Sequence, residues 1–225
     1  NITTQVIIGS AAQLSLNGAI TRPGEFRLAT LNDIYLRDKV TLSSGGAVAG
    51  AGGAITISTP TLLSQVNIGA NAELTSIGKI DISARGKGSV DTKLNVETYG
   101  AATVSTAYSE ITILPVNEVV IEASAEIRAR DDLNITVGKN IHHERDKYQL
   151  DVRTDSFAGS AIPIDGVSAN ASIDQNNRIS VAAGALLETG GQANLYTENL
   201  GLAQVNAYAK AVNWLSATAD GINSA

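Results

Sequence analysis

A nine-residue phrase occurs four times in this chain, and it limits what the chain can fold into more than any other feature. Val6-Ile7-Ile8-Gly9-Ser10-Ala11-Ala12-Gln13-Leu14 returns as Val66-Asn67-Ile68-Gly69-Ala70-Asn71-Ala72-Glu73-Leu74. It returns again as Val119-Val120-Ile121-Glu122-Ala123-Ser124-Ala125-Glu126-Ile127 and as Ile179-Ser180-Val181-Ala182-Ala183-Gly184-Ala185-Leu186-Leu187. The start-to-start offsets are 66−6 = 60, 119−66 = 53 and 179−119 = 60. Self-similarity at a long period signals a repeat architecture, in which each unit buries its apolar face only against its neighbours.

Within each copy the apolar residues alternate with polar ones in runs of about three to five residues, the period of a strand with one buried face. Gly, Asn, Ser and Asp separate the runs, so the chain turns often. The aligned positions Val6, Ile8 and Leu14, with Val66, Ile68, Leu74, Val119, Ile121, Ile127, Ile179, Val181 and Leu187, are the expected core ladder. An alanine stands at the seventh place of every copy (Ala12, Ala72, Ala125, Ala185), where a small side chain suits a tight corner. Further along, Ile20, Ile80, Leu133 and Ala193 align, followed by Arg22, Ile82, Ile135 and Leu195, and Arg22 breaks the apolar pattern.

The expectation is an all-β fold, a parallel β-helix (β-solenoid) of four tandem repeats at approximately 5–64, 65–117, 118–177 and 178–225. The whole of 1–225 is then one elongated segment, expected to belong to a longer chain or a polymer. At roughly 20–30 residues per turn and about 4.8 Å per turn, it makes a rod of roughly 40–50 Å. Residues 86–114 and 147–173 alternate less regularly and read either as parts of wider turns or as projecting hairpins.

Composition narrows the function. There is no Cys and no Met, which removes disulfides, zinc–thiolate sites and thiol catalysis and fits a chain made for the outside of a cell. Aromatics are 4% of the residues, so the core is built from Ile, Val, Leu and Ala. A net charge of −6 and a pI near 4.9 argue against nucleic-acid partners, whose affinity comes largely from phosphate neutralisation. No apolar stretch is long enough to insert in a membrane.

Few residues suggest chemistry. His142-His143-Glu144 lacks the spacing of a zinc-protease helix, and adjacent strand residues face opposite ways. Asp131 and Asp132 beside Arg128 have the residue types of acid–base chemistry on a polysaccharide, but the simpler reading is a solvated turn. Gly45 to Gly53 lacks the Lys and Ser/Thr of a phosphate loop and reads as a loop. Trp214, Tyr196 and Tyr208 are the candidate ligand or interface residues. No cofactor is expected; calcium at Asp or Asn turns is the one ion the composition suits.

The phrase at Val66 to Leu74, followed by Gly78-Lys79-Ile80-Asp81-Ile82-Ser83-Ala84, resembles the repeats of giant bacterial β-strand-repeat surface exoproteins and filamentous haemagglutinin-like adhesins. That resemblance implies right-handed β-helical shafts, secretion to the bacterial cell surface, and roles in adhesion, sheaths or fibres. It transfers no catalytic residue. The expected role is therefore structural or adhesive and not enzymatic. Its partners are copies of itself or adjacent segments of a longer chain, with cell-surface glycans as a further partner. The alternatives are a carbohydrate-active β-helix enzyme using Asp131, Asp132 and Arg128, or a glycan-binding module using the aromatics near Trp214.

Overall fold

The structure, a computed structural model, describes residues 2–17, 24–58, 61–199 and 202–213, and the backbone of 219–223. Ile20, Arg22 and Trp214 lie outside the described residues.

The described chain is all-β, with parallel sheets, one of which curls into half a barrel, and no helix. Four successive layers account for it. The first holds β1 (Ile2–Ile8), β2 (Gln13–Leu16), β3 (Glu25–Gly45) and β4 (Val48–Ser58). The second holds β5 (Leu62–Ile68), β6 (Glu73–Ser76), β7 (Lys79–Tyr99) and β8 (Ala102–Ile113). The third holds β9 (Pro115–Ile121), β10 (Glu126–Ala129), β11 (Leu133–Val137), β12 (Lys147–Gly159) and β13 (Ile162–Ile173). The fourth holds β14 (Asn176–Val181), β15 (Leu186–Thr189), β16 (Ala193–Thr197) and β17 (Leu202–Asn213), and β18 (Ala219–Asn223) runs antiparallel along β17.

Each strand hydrogen-bonds its counterpart in the next layer. Val6, Val66, Val119 and Ile179 pair in register, as do Leu14, Leu74, Ile127 and Leu187. Paired residues are thus 60, 53 and 60 apart, the offsets of the repeated phrase. The short turn expected from the sequence does not occur, because each layer takes up one whole repeat. The stretches 86–114 and 147–173 run as long strands that pair in parallel with their counterparts, not as hairpins. The reason is length: their alternation continues far enough to hold two broad facing walls.

The offset changes along the chain, and its two largest steps mark insertions. Leu16 pairs with Ser76 at an offset of 76−16 = 60, but Glu25 pairs with Lys79 at 79−25 = 54. The first layer therefore carries an insertion of 60−54 = 6 between β2 and β3. Phe26 and Leu28 stand opposite Ile80 and Ile82, the places the sequence alignment gave to Ile20 and Arg22. Likewise Ala84 pairs with Val137 at 137−84 = 53, but Lys87 pairs with Lys147 at 147−87 = 60. The third layer therefore carries an insertion of 60−53 = 7, and this one contains His142 and His143.

The turn of the phrase is the same in every layer. Ala12, Ala72, Ala125 and Ala185 donate to the carbonyls of Gly9, Gly69, Glu122 and Ala182 at 3.1–3.3 Å. The residue before each alanine is left-handed: Ala11 at φ 56°, Asn71 at 57°, Ser124 at 57° and Gly184 at 77°. The carbonyls of Ala12, Ala72 and Ala125 then accept from Glu73, Glu126 and Leu186 of the next layer, each at 2.8 Å. Ala72 and Ala125 are fully buried, so a larger side chain has no room at the corner.

The Gly-rich stretch is not a loop. Gly50, Gly52 and Gly53 lie inside β4, and a Cβ on Gly53 would come within 2.7 Å of Leu42 and 2.9 Å of Leu94. Glycine there lets β4 sit close against the opposite wall.

The interior alternates between apolar and polar belts. Val66, Ile68, Leu74, Ile80, Ile82 and their counterparts form one apolar cluster. Leu62, Val90, Ile111, Ile113 and Leu150 form a second. Between them runs a polar column in which Thr4, Ser64, Asn117 and Asn177 stack in register. Asn117 donates to Asn177 at 2.8 Å and to Asp146 at 2.7 Å. Asp146 also accepts from the Gly86 amide at 2.9 Å and from Asn177 at 3.2 Å. Burial raises its carboxyl from 3.8 to about 6 against the opposing pull of these donors. Tyr148 packs beside it, its phenol pushed up by burial, and a Cβ on Gly86 would overlap the Tyr148 hydroxyl.

Candidate binding groove

The insertion in the third layer is the chief departure from regular stacking, and it builds a groove. Its loop is tied by Asn140, whose side-chain oxygen accepts from the amides of His142 and Glu144, both at 3.0 Å, and whose side-chain nitrogen donates to Glu144 at 2.8 Å. Gly138 at φ 84° and His143 at φ 60° bend the backbone back on itself. Lys139 and Arg145 close the base of the loop as an isolated bridge. Two ion pairs hold it to the walls: Arg85 with Glu144 at 2.9 Å, and Arg145 with Glu198 at 3.0 Å.

The loop stands over the outer faces of β11 and β16. A cavity of about 490 Å³ lies between, lined by Asn134, Thr136, Lys139 and His143 on one side and Asn194 and Tyr196 on the other. Thr136 points outward from β11, yet it is only 6% exposed because the loop covers it. Its hydroxyl has no hydrogen-bond partner among the described residues. Lys139 places its ammonium 3.4 Å from the centre of the Tyr196 ring. Asn194 donates to Asn134 at 2.9 Å and Asn134 to Asp81 at 2.6 Å, an amide ladder that ends at exposed Asn194.

The candidate residues from the sequence are dispersed. Tyr196 lines the groove, but Tyr208 lies on β17 with Arg153 5.3 Å from its ring centre. Arg128 makes its ion pairs with glutamates. It reaches Glu73 at 3.9 Å, Glu126 at 2.8 Å and Glu188 at 3.2 Å. Glu126 shares its strand, and Glu188 stands directly opposite it in the fourth layer. Asp132 pairs with Lys79 at 3.1 Å and accepts from the Gln192 amide at 3.1 Å, and these partners hold its carboxyl below its usual range. The carbonyl of Asp131 accepts from the Gly191 amide at 3.0 Å. Among the described residues no three His, Cys, Asp or Glu side chains gather as a metal site. The core ladder is buried in the middle layers (Val66, Ile68, Leu74, Val119, Ile121, Ile127), half-buried at Val6, Ile8, Leu14, Ile179 and Leu187, and 42% exposed at Val181.

Sequence reasoning missed Lys139 and Thr136. The signal was there in the offset of 53 between copies that are otherwise 60 apart, because a change of period marks where an insertion leaves the stack. Comparison with protein-family models, curated proteins and solved structures finds no match for this chain.

Proposed function

We propose that this chain is a β-solenoid segment of four repeats, a non-enzymatic structural or adhesive module of a bacterial cell-surface exoprotein, elongated by axial stacking. The observation that carries this reading is the in-register pairing of four homologous phrases, which leaves a sheet edge on each side of the stack. Among the described residues β1 has only β5 as a strand neighbour and β14 only β9, while β15 and β16 likewise pair on one side. Such edges carry a row of backbone donors and acceptors able to pair with a further layer. The natural occupant is another layer of the same kind, either an adjacent segment of a longer chain or a second copy. Contacts of that type do not close and give filaments.

The acidic composition, the lack of Cys and the ladder of short side chains agree with an extracellular shaft. The test is association in solution. Sedimentation should show concentration-dependent, elongated species, and oriented samples should give a reflection at about 4.8 Å along the long axis. Leu195→Lys, which puts a charge on the outermost ladder, should abolish association without unfolding the chain. A monomer at all concentrations, with the variant indistinguishable from it, would overturn axial stacking.

A further inference from the structure

We propose that the groove under the insertion binds anionic saccharides of the uronate type, with the sugar carboxylate on Lys139 and the ring hydroxyls on Thr136 and Asn194. The groove exists whether or not the layers extend, so this role stands apart from that of the scaffold.

Charge favours an anion. The chain carries a net −6, yet neither Asp nor Glu lines the groove, whose titratable side chains include Lys139 and His143. The two carboxylates flanking the loop are already paired, Glu144 with Arg85 and Glu198 with Arg145. Lys139 has an aromatic face as its partner and, among the described residues, no carboxylate. The ring fixes the position of the ammonium and leaves its N–H groups for an incoming anion.

The unsatisfied hydroxyl favours a polyol. A buried polar group without a partner is costly, and Thr136 is such a group at the floor of the groove. A ligand hydroxyl supplies the missing bond. Asn194 ends the amide ladder on the same outer face, so a second polar group follows one strand away. Hydroxyl and amide groups in a row beside one cation match a ring that carries several hydroxyls and one carboxylate. The volume of 490 Å³ is in the range of small-ligand sites.

The test is titration of the full chain with trigalacturonate, followed by the amide signals of Thr136 and Asn194 in NMR spectra and by calorimetry. Fully methyl-esterified trigalacturonate serves as the same shape without charge, and acetate as the charge without the ring. Saturable binding of the acid alone is expected, with the Thr136 and Asn194 signals moving. Lys139→Gln should weaken it by at least ~10-fold and Thr136→Val by ~3- to 10-fold. Lys210→Gln, outside the groove, should change nothing. Both groove variants leave the strands intact, and a melting temperature no lower than the parent's verifies this. Equal binding of the ester, acetate binding as tightly as the sugar acid, full affinity in Lys139→Gln, or no saturation by ~10 mM would each overturn the proposal.

Discussion

The two middle layers and the two outer layers share the apolar pattern of the repeated phrase but sit in different physical environments. Ile82, Ile135 and Leu195 occupy one ladder position in consecutive layers. Ile82 and Ile135 are fully buried, whereas Leu195 is 48% exposed. β5 and β9 hold only buried and partly exposed residues, while every residue of β16 is exposed. Side-chain identity does not set this difference; the number of layers on either side does. In a stacked repeat, stability is the sum of a weak intrinsic term per unit and a strong interface term between units. The outer layers have only one interface each.

The largest consequence concerns this ladder. Ile135→Ala should cost about 2–5 kcal/mol, because the site is enclosed above and below and cannot collapse around the void. Leu195→Ala should cost less than about 1 kcal/mol, because the side chain is half in water already. Urea denaturation of the two variants measures both. Equal losses would mean that the layers do not differ as their burial implies.

The polar column separates the layers in another way. The place held by Asp146 in the third layer is held by Asn32 in the first, where its amide reaches the carbonyls of Ile2 at 3.2 Å and Leu63 at 3.4 Å. Asn32 is neutral at every pH, but Asp146 titrates. Its folded pKa of about 6 lies above the unfolded value of 3.8. Its contribution is therefore fully present below pH 3.8 and is lost as the pH rises through about 6. The shift corresponds to about 3 kcal/mol of lost stability at neutral pH. Stability measured from pH 4 to 7 should fall, and Asp146→Asn should flatten that slope. A variant whose slope matches the parent would place the titration elsewhere.

These contrasts also show what could be read beforehand. The offsets and the ladder were legible because an apolar residue held at a fixed spacing in four copies is what a stacked column requires. The width of a layer was not, since β7 and β12 interrupt their apolar faces with Thr92, Thr98, Thr154 and Ser156, all buried. Buried hydroxyls look like surface residues in a sequence. Several are satisfied across the interior, as Ser105 with Ser156 at 2.6 Å and Thr154 with Ser109 at 2.7 Å. The groove was illegible for a related reason. His142 and His143 drew attention by type, whereas Thr136 gains its character only from the loop that covers it. The insertion in the first layer hid the true partner of Ile80, which is Phe26.

A smaller effect tests the repeated turn, where the outer layers differ from one another. Ala11 holds the left-handed position in the first layer and Gly184 in the fourth. Left-handed geometry costs a residue with a Cβ roughly 1 kcal/mol more than glycine. Ala11→Gly should therefore stabilise, by up to about 1 kcal/mol, and Gly184→Ala should destabilise by a similar amount. Both sites are exposed, so packing does not obscure the sign. Thermal melts of the pair decide it, and the same sign for both would show that the turns are not equivalent.

The smallest effect belongs to the most conspicuous charge cluster. Arg128 lies in the third layer and reaches Glu73 in the second and Glu188 in the fourth, so it bridges a middle layer to an outer one. On paper this is a clamp against peeling of the outer layer. Its side chain is 42% exposed and that of Glu188 is 63% exposed, so water screens the pair and the long side chains lose rotamer freedom in making it. Arg128→Ala should lower stability by less than about 1 kcal/mol, and 1 M salt should shrink that loss further as the Debye length falls to about 3 Å. Hydrogen exchange at β15 gives the sharper readout, because a clamp would protect the fourth layer selectively. If the substitution speeds exchange at β15 while β10 stays protected, charge adds to the axial interface. If both strands are unchanged, the backbone ladder and the apolar column hold the outer layer by themselves.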